Sequence, residues 1–254
     1  MKNKSLFILL LFFIELKVNA QNSFQAAYGG TNNDEAYGIC QTSDGGYVVA
    51  GTTNSFGAGA EDVYLIKINS MGALVWSKTF GGINDDEGGS VQKTNDGGYI
   101  IGGSTSSFGS GGYDFYLIKT DSNGVLEWSK VYGGTAEDKA WTARQTSDGG
   151  YAMCGYYAGL TGAGRGDVFF IKTDSNGTIQ WSFTYEGSGW TGGATDLKQT
   201  NDHGYVISGY SIQGSTLPNN FLFKIDSAGT IQWYKTYNGN TGNSVEETTD
   251  GDLL

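Results

Sequence analysis

The sequence predicts an all-β fold, a β-propeller of four-stranded antiparallel blades with about 52 residues per blade, and three observations carry that expectation. First, residues 28–79, 80–131, 132–184 and 185–236 are variants of one segment, and a partial fifth copy occupies 237–254. The anchors keep the period: Trp76, Trp128, Trp181 and Trp233 lie 52, 53 and 52 residues apart, as do Lys67, Lys119, Lys172 and Lys224. A period near fifty marks a repeat array. Second, each copy holds four short runs rich in β-branched and aromatic residues, separated by Gly, Asn, Asp and Ser. Third, the third run is apolar on both faces, as Phe115, Tyr116, Leu117 and Ile118 show, which suits a sheet sandwiched between two neighbours.

In the second copy the runs are 89–94, 99–103, 115–120 and 125–131. Asn95-Asp96-Gly97-Gly98 joins the first two and Asp121-Ser122-Asn123-Gly124 the last two, both chemistries that tolerate the positive φ of tight hairpins. A longer Gly and Ser loop, 104–113, separates the second and third runs. With a two-residue loop in the second hairpin, Ser122 faces Val125 and Lys119 faces Trp128. The same register sets Lys67 against Trp76, Lys172 against Trp181 and Lys224 against Trp233. A structural cation–ring contact in every blade follows from that register, worth about 0.5–1 kcal/mol at exposed sites.

The first twenty residues are foreign to the repeat. Lys2 and Lys4 precede an apolar run from 5 to 14, and Val18-Asn19-Ala20 ends in small residues, the pattern of a secretory signal peptide, 1–20. The propeller then spans 21–254, and the expected place of the protein is extracellular or on the outer cell surface. Residues 23–28 align with the fourth strand of a copy, so they read as the outer strand of a closing blade. The fifth copy stops where its second strand should start, which reads as a truncated ring. Cys40 and Cys154 fall in different repeats at different places, which disfavours a disulfide between them.

With 42 glycines, one proline and 14% aromatic residues the chain is ordered and rich in turns. A formal net charge of -11 argues against nucleic acid or an anionic membrane surface as partner, since phosphate binding is driven by Lys and Arg. No segment after the leader is long and apolar enough to span a bilayer as a helix. A monomer is expected.

Tyr99-Ile100-Ile101-Gly102-Gly103, followed by Asp114 to Lys119 and then Trp128, resembles kelch repeats, with double glycine, aromatic and tryptophan in that order. The stretch from Asp121 to Trp128 is similar to the tryptophan-bearing blades of quinoprotein-type propellers. The whole consensus, including Gln41-Thr42-Ser43-Asp44-Gly45-Gly46-Tyr47, resembles secreted repeat proteins of Bacteroidetes, and that resemblance covers 28–254. It implies a propeller fold and, in many such proteins, a type IX secretion sorting domain. It is nearly silent about ligand.

Because strands alternate in direction, the short turns of each blade emerge on one face and the long connections on the other, where function is to be sought. That face carries an aspartate at the start of the first strand, Asp34, Asp86 and Asp138, and another before the third, Asp62, Asp114 and Asp167. These are the ligand-face candidates. They read as caps on loop amides or, alternatively, as oxygen ligands for calcium or partners for a sugar. No other cofactor is expected. The only histidine, His203, replaces the first glycine of an Asp-Gly-Gly-Tyr turn, and no catalytic constellation stands out. The functional expectation is a secreted, non-catalytic binding or scaffold module for extracellular glycans or proteins. The alternatives are a polysaccharide-degrading enzyme or its accessory module, and a purely structural adhesion protein.

Overall fold

The computed structural model describes residues 24–157, 167–185, 190–213, 218–239 and 244–248. The expected signal peptide lies outside them. Among the described residues sixteen strands follow one another: β1 (Asp34–Gln41), β2 (Tyr47–Thr53), β3 (Asp62–Ile68), β4 (Leu74–Phe80), β5 (Asp86–Lys93), β6 (Tyr99–Thr105), β7 (Asp114–Thr120), β8 (Leu126–Tyr132), β9 (Asp138–Gln145), β10 (Tyr151–Tyr157), β11 (Asp167–Thr173), β12 (Ile179–Tyr185), β13 (Trp190–Gln199), β14 (Tyr205–Gln213), β15 (Asn219–Ile225) and β16 (Ile231–Asn238). They form four sheets of four, each a sequential antiparallel meander with one sheet per repeat. The fold is all-β and propeller-like, without a helix among the described residues. The first strands β1, β5, β9 and β13 pack successively on one another and line the inside. No strand of the fourth blade pairs with the first among the described residues.

Apolar side chains on facing sheets make the core. Val48, Ala50, Val63 and Leu65 of blade 1 meet Val91, Tyr99, Ile101, Tyr116 and Ile118 of blade 2. On its other side blade 2 offers Ile100, Phe115 and Leu117 to Ala143, Tyr151, Met153 and Ile171 of blade 3. β7 is buried along its whole length, which is why it lacks polar alternation, whereas the outer strand β8 is mostly exposed.

The tryptophans latch neighbouring blades. Trp76, Trp128 and Trp181 stand edge-on to Tyr99, Tyr151 and Tyr205 of the next blade, with ring centroids 6.3, 5.6 and 6.0 Å apart. Such pairs are worth about 0.5–1.5 kcal/mol beyond their area. Phe24 lies against Gly72 as Trp76 lies against Gly124. The Tyr28 hydroxyl donates to the Gly72 carbonyl as Tyr132 donates to that of Gly177. Residues 24–28 thus rest on blade 1 where a preceding fourth strand would rest, without strand pairing of their own.

The register pairs each lysine with its tryptophan as expected: Lys67 with Trp76, Lys119 with Trp128, Lys172 with Trp181 and Lys224 with Trp233. The turn and the lysine's partner differ from expectation. Asp121 N donates to Val125 O and Thr120 pairs with Leu126, so the loop is longer than two residues, and a bulge at Glu127 restores the register. The Asp121 carboxylate accepts the amides of Asn123 and Val125 at 2.8 Å each, and Gly124 supplies φ 73.

The expected cation–ring contact is replaced by an ion pair. Each ammonium turns to the aspartate of the first hairpin: Lys67 to Asp44 at 2.8 Å, Lys119 to Asp96 at 2.9 Å, Lys172 to Asp148 at 2.8 Å and Lys224 to Asp202 at 2.9 Å. A lysine this buried needs full-charge partners, and a ring face is the weaker one. Lys119 also reaches the Glu127 carboxylate and the Thr120 carbonyl, both at 2.9 Å. The ammonium explains the second glycine of the turn, since a Cβ on Gly98 would lie 2.7 Å from Lys119 Nζ and 2.1 Å from Thr120 O. Asp96 is pushed up by burial, but hydrogen bonds from Thr94, Lys119 and Gly98 outweigh this and hold it at about 2.

Candidate ligand-binding site

The six aspartates lie at the ends of the strands, and Asp34, Asp62, Asp86, Asp114 and Asp138 hold loop backbone there. Asp62 Oδ2 accepts the amides of Ala58 and Gly59 at 2.9 and 3.0 Å. Asp86 Oδ2 accepts Gly82 N and Ser107 Oγ at 2.7 Å each, Asp114 Oδ2 accepts Ser110 N at 2.9 Å, and Asp138 Oδ2 accepts Gly134 N at 2.8 Å. Asp34 bonds Gly30 N, Ser55 Oγ and the Thr53 hydroxyl, and these outweigh burial to keep its carboxyl below the usual range. Asp167 opens β11 and is half-buried.

The seams between blades set two of these carboxylates against one glycine. A Cβ on Gly81 would lie 2.3 Å from Asp62 Oδ1 and 2.5 Å from Asp86 Oδ2, and one on Gly133 would lie 1.8 Å from Asp114 Oδ1 and 2.7 Å from Asp138 Oδ2. Burial first, and the Asp138 charge after it, push Asp114 up despite the Ser110 amide. Among the described residues no group of three or more His, Cys, Asp or Glu side chains converges as a metal cage would require.

Beside these seams, at the same end of the inner strands, is a cavity of about 870 Å³. Its charged lining is Glu35, Glu61, Glu87 and Lys139, each a chain neighbour of one of the predicted aspartates. Strand side chains alternate between faces, so when Asp34 or Asp86 turns into the seam, Glu35 or Glu87 turns inward.

The rest of the lining comes from a repeated backbone device. Every first strand carries a register shift against its second strand, which makes Tyr37, Gly89, Trp141 and Thr195 the extra residue of a bulge in blades 1 to 4. All four line the cavity. A bulge bends a strand and re-aims the extra side chain, and bulges concentrate at functional sites for that reason. One frame position thus presents Tyr, Gly, Trp and Thr in turn, with Tyr37 59% and Trp141 39% exposed. Tyr210 from β14, Thr52 from β2 and Asn54 also line it.

The field in the cavity is negative. The Tyr37 hydroxyl is pushed up to about 12, first by its bond to Glu35, then by burial and by the charges of Glu35, Glu87 and Glu61. Burial, then Glu87, Asp85 and Glu61, push Tyr113 up as well. Among the described residues Lys139 is the cation of the lining; its Nζ stands 3.7 Å from the Tyr113 ring centroid and 2.8 Å from Glu87 Oε1.

His203 is exposed on the opposite, short-turn face, with φ 65 and Nδ1 3.1 Å from Ser147 Oγ. Cys40 and Cys154 are free thiols, and burial pushes both up.

No protein-family model matches the chain, and no curated protein matches it. Among solved structures it is similar to a hypothetical protein from Leishmania major, at 14% identity and TM-score 0.48, covering 87% of this chain and 80% of that one. It is also similar to a mannose phosphorylase from Leishmania mexicana solved with a phosphate ion, at 13% identity and TM-score 0.48, covering 88% and 80%. No functional residue is carried over from either.

Proposed function

We propose that this protein is a non-catalytic binding module of the cell exterior that takes a glycan segment into the cavity of its inner strands. The observation that carries the reading is the row of bulged positions, which puts exposed Tyr37 and Trp141 beside three glutamates at one concave site. Aromatic faces stack on the apolar faces of sugar rings, and carboxylates accept sugar hydroxyls. A volume of about 870 Å³ falls within the usual range of small-ligand pockets, roughly 300–1,000 Å³, and a concave wall suits a few sugar units better than a flat protein partner. The leader-like residues 1–20 support export, and the net charge of -11 keeps such a module off anionic surfaces.

The test is a glycan array followed by calorimetry on the purified protein. Saturable binding to at least one oligosaccharide, lost in Trp141→Ala with the fold intact by circular dichroism, is the expected result. Absence of binding across the array overturns the reading, and hydrolysis of a bound polysaccharide would replace it with the enzymatic one.

A further inference from the structure

We infer that the glycan carries a free, protonated primary amine, seated between Glu61 and Glu87 and enclosed by the rings of Tyr37 and Trp141; the inference rests on the glycan-binding reading. The repeat itself points to this chemistry. Tyr113 and Lys139 occupy, at the seam of blades 2 and 3, the frame positions that Glu61 and Glu87 occupy at the seam of blades 1 and 2. Asp86 N donates to Glu61 O, and Asp138 N donates to Tyr113 O, which fixes the correspondence. One seam therefore holds an ammonium over an aromatic ring, whereas the equivalent seam brings two like charges to the same cavity. Two carboxylates served there by one lysine, which bonds Glu87, break the otherwise consistent frame, and such departures mark functional positions.

The charge balance agrees. Among the described residues three glutamates face one lysine in the lining, and that lysine is engaged by Glu87 and Tyr113. The chain's own amine shows how a ligand amine is held here, by a carboxylate and a ring. A carboxylate pair with aromatic walls favours a cation through Coulomb attraction and the ring quadrupole, and both strengthen as water is excluded. The bulged Trp141 and Tyr37 supply the walls; Gly89 at the same frame position lets the Trp141 backbone pack close, since a Cβ there would lie 2.5 Å from Trp141 O.

The experiment compares three tetrasaccharides of one β-1,4 backbone by calorimetry at roughly pH 6, where free carboxylic acids are ionised and the sugar amine is protonated. They are the glucosamine, N-acetylglucosamine and glucose tetramers. The glucosamine tetramer is expected to bind about tenfold or more tighter than the other two. Glu61→Gln should erase that preference, Lys139→Gln should enlarge it by freeing Glu87, and Glu246→Gln, an exposed acid on the blade 4 edge, should leave it unchanged. Equal binding of all three overturns the amine and leaves glycan binding standing. Binding of a lysine peptide in preference to every sugar overturns the glycan and points to a protein partner. A preference that survives Glu61→Gln, or falls equally in Glu246→Gln, places the amine elsewhere and also overturns the inference.

Discussion

Asp96→Asn isolates the ion pair between the first hairpin and the third strand. Asn keeps the shape and the acceptor for Thr94 and Gly98 but removes the charge facing Lys119, whose side chain is 3% exposed. Holding the carboxyl at about 2, from an ordinary 3.8, corresponds to about 2.5 kcal/mol of preference for its ionised form. The Asp96 side chain is 57% exposed, so screening reduces this to about 1 kcal/mol. Lys119 retains Glu127 and the Thr120 carbonyl, so its own loss adds at most about 1 kcal/mol. A total of about 1–2 kcal/mol lowers the melting temperature by roughly 3–6 °C in a protein of this size. The folded carboxyl titrates below its unfolded value, so its stabilisation is complete above about pH 4 and fades as pH falls toward about 2. Thermal melts from neutral pH down to about 2 should show the gap between wild type and variant closing in that window. A variant as stable as wild type at neutral pH, or a gap unchanged at about pH 2, refutes the ion-pair reasoning.

Neighbouring glycines of one turn should separate backbone strain from collision. Gly97→Ala, with φ 88 and open space around its Cβ, costs about 1 kcal/mol, whereas Gly98→Ala, aimed at Thr120 O and Lys119 Nζ, costs several times more by denaturant titration. His203→Gly should stabilise by roughly 0.5–1 kcal/mol, because His203 holds a left-handed φ that glycine adopts without strain. Trp141→Ala should lower the melting temperature less than Trp128→Ala, which removes an inter-blade latch. Both cysteines should resist a thiol reagent at neutral pH and react once the protein is unfolded, burial having pushed both thiols up.

The repeat made the blades legible. Period, turn chemistry and the two-faced apolar third strand gave the sheets, and the lysine and tryptophan spacing gave the pairs across β7 and β8. The ammonium's destination was not legible, because Asp96 is remote from Lys119 in sequence and meets it only when the hairpins of one blade lie side by side. The cavity of the proposed site lies one residue out of phase with the repeated aspartates, which sit at the seam while Glu35, Glu61 and Glu87 beside them face the cavity. Strand alternation accounts for that offset. The bulges at Tyr37 and Trp141 could not be read, since a bulge exists only relative to a partner strand. A constant frame with a changing residue at that position is the trace it left.

The most direct test of the central claim follows tryptophan fluorescence while the oligosaccharide selected on the array is titrated into the protein and into Trp141→Phe. The account predicts a saturable change in the wild type that disappears in the variant, because Trp141 is the indole of the cavity wall among the described residues. The same saturable change in both proteins would place the ligand outside the inner-strand cavity and contradict it.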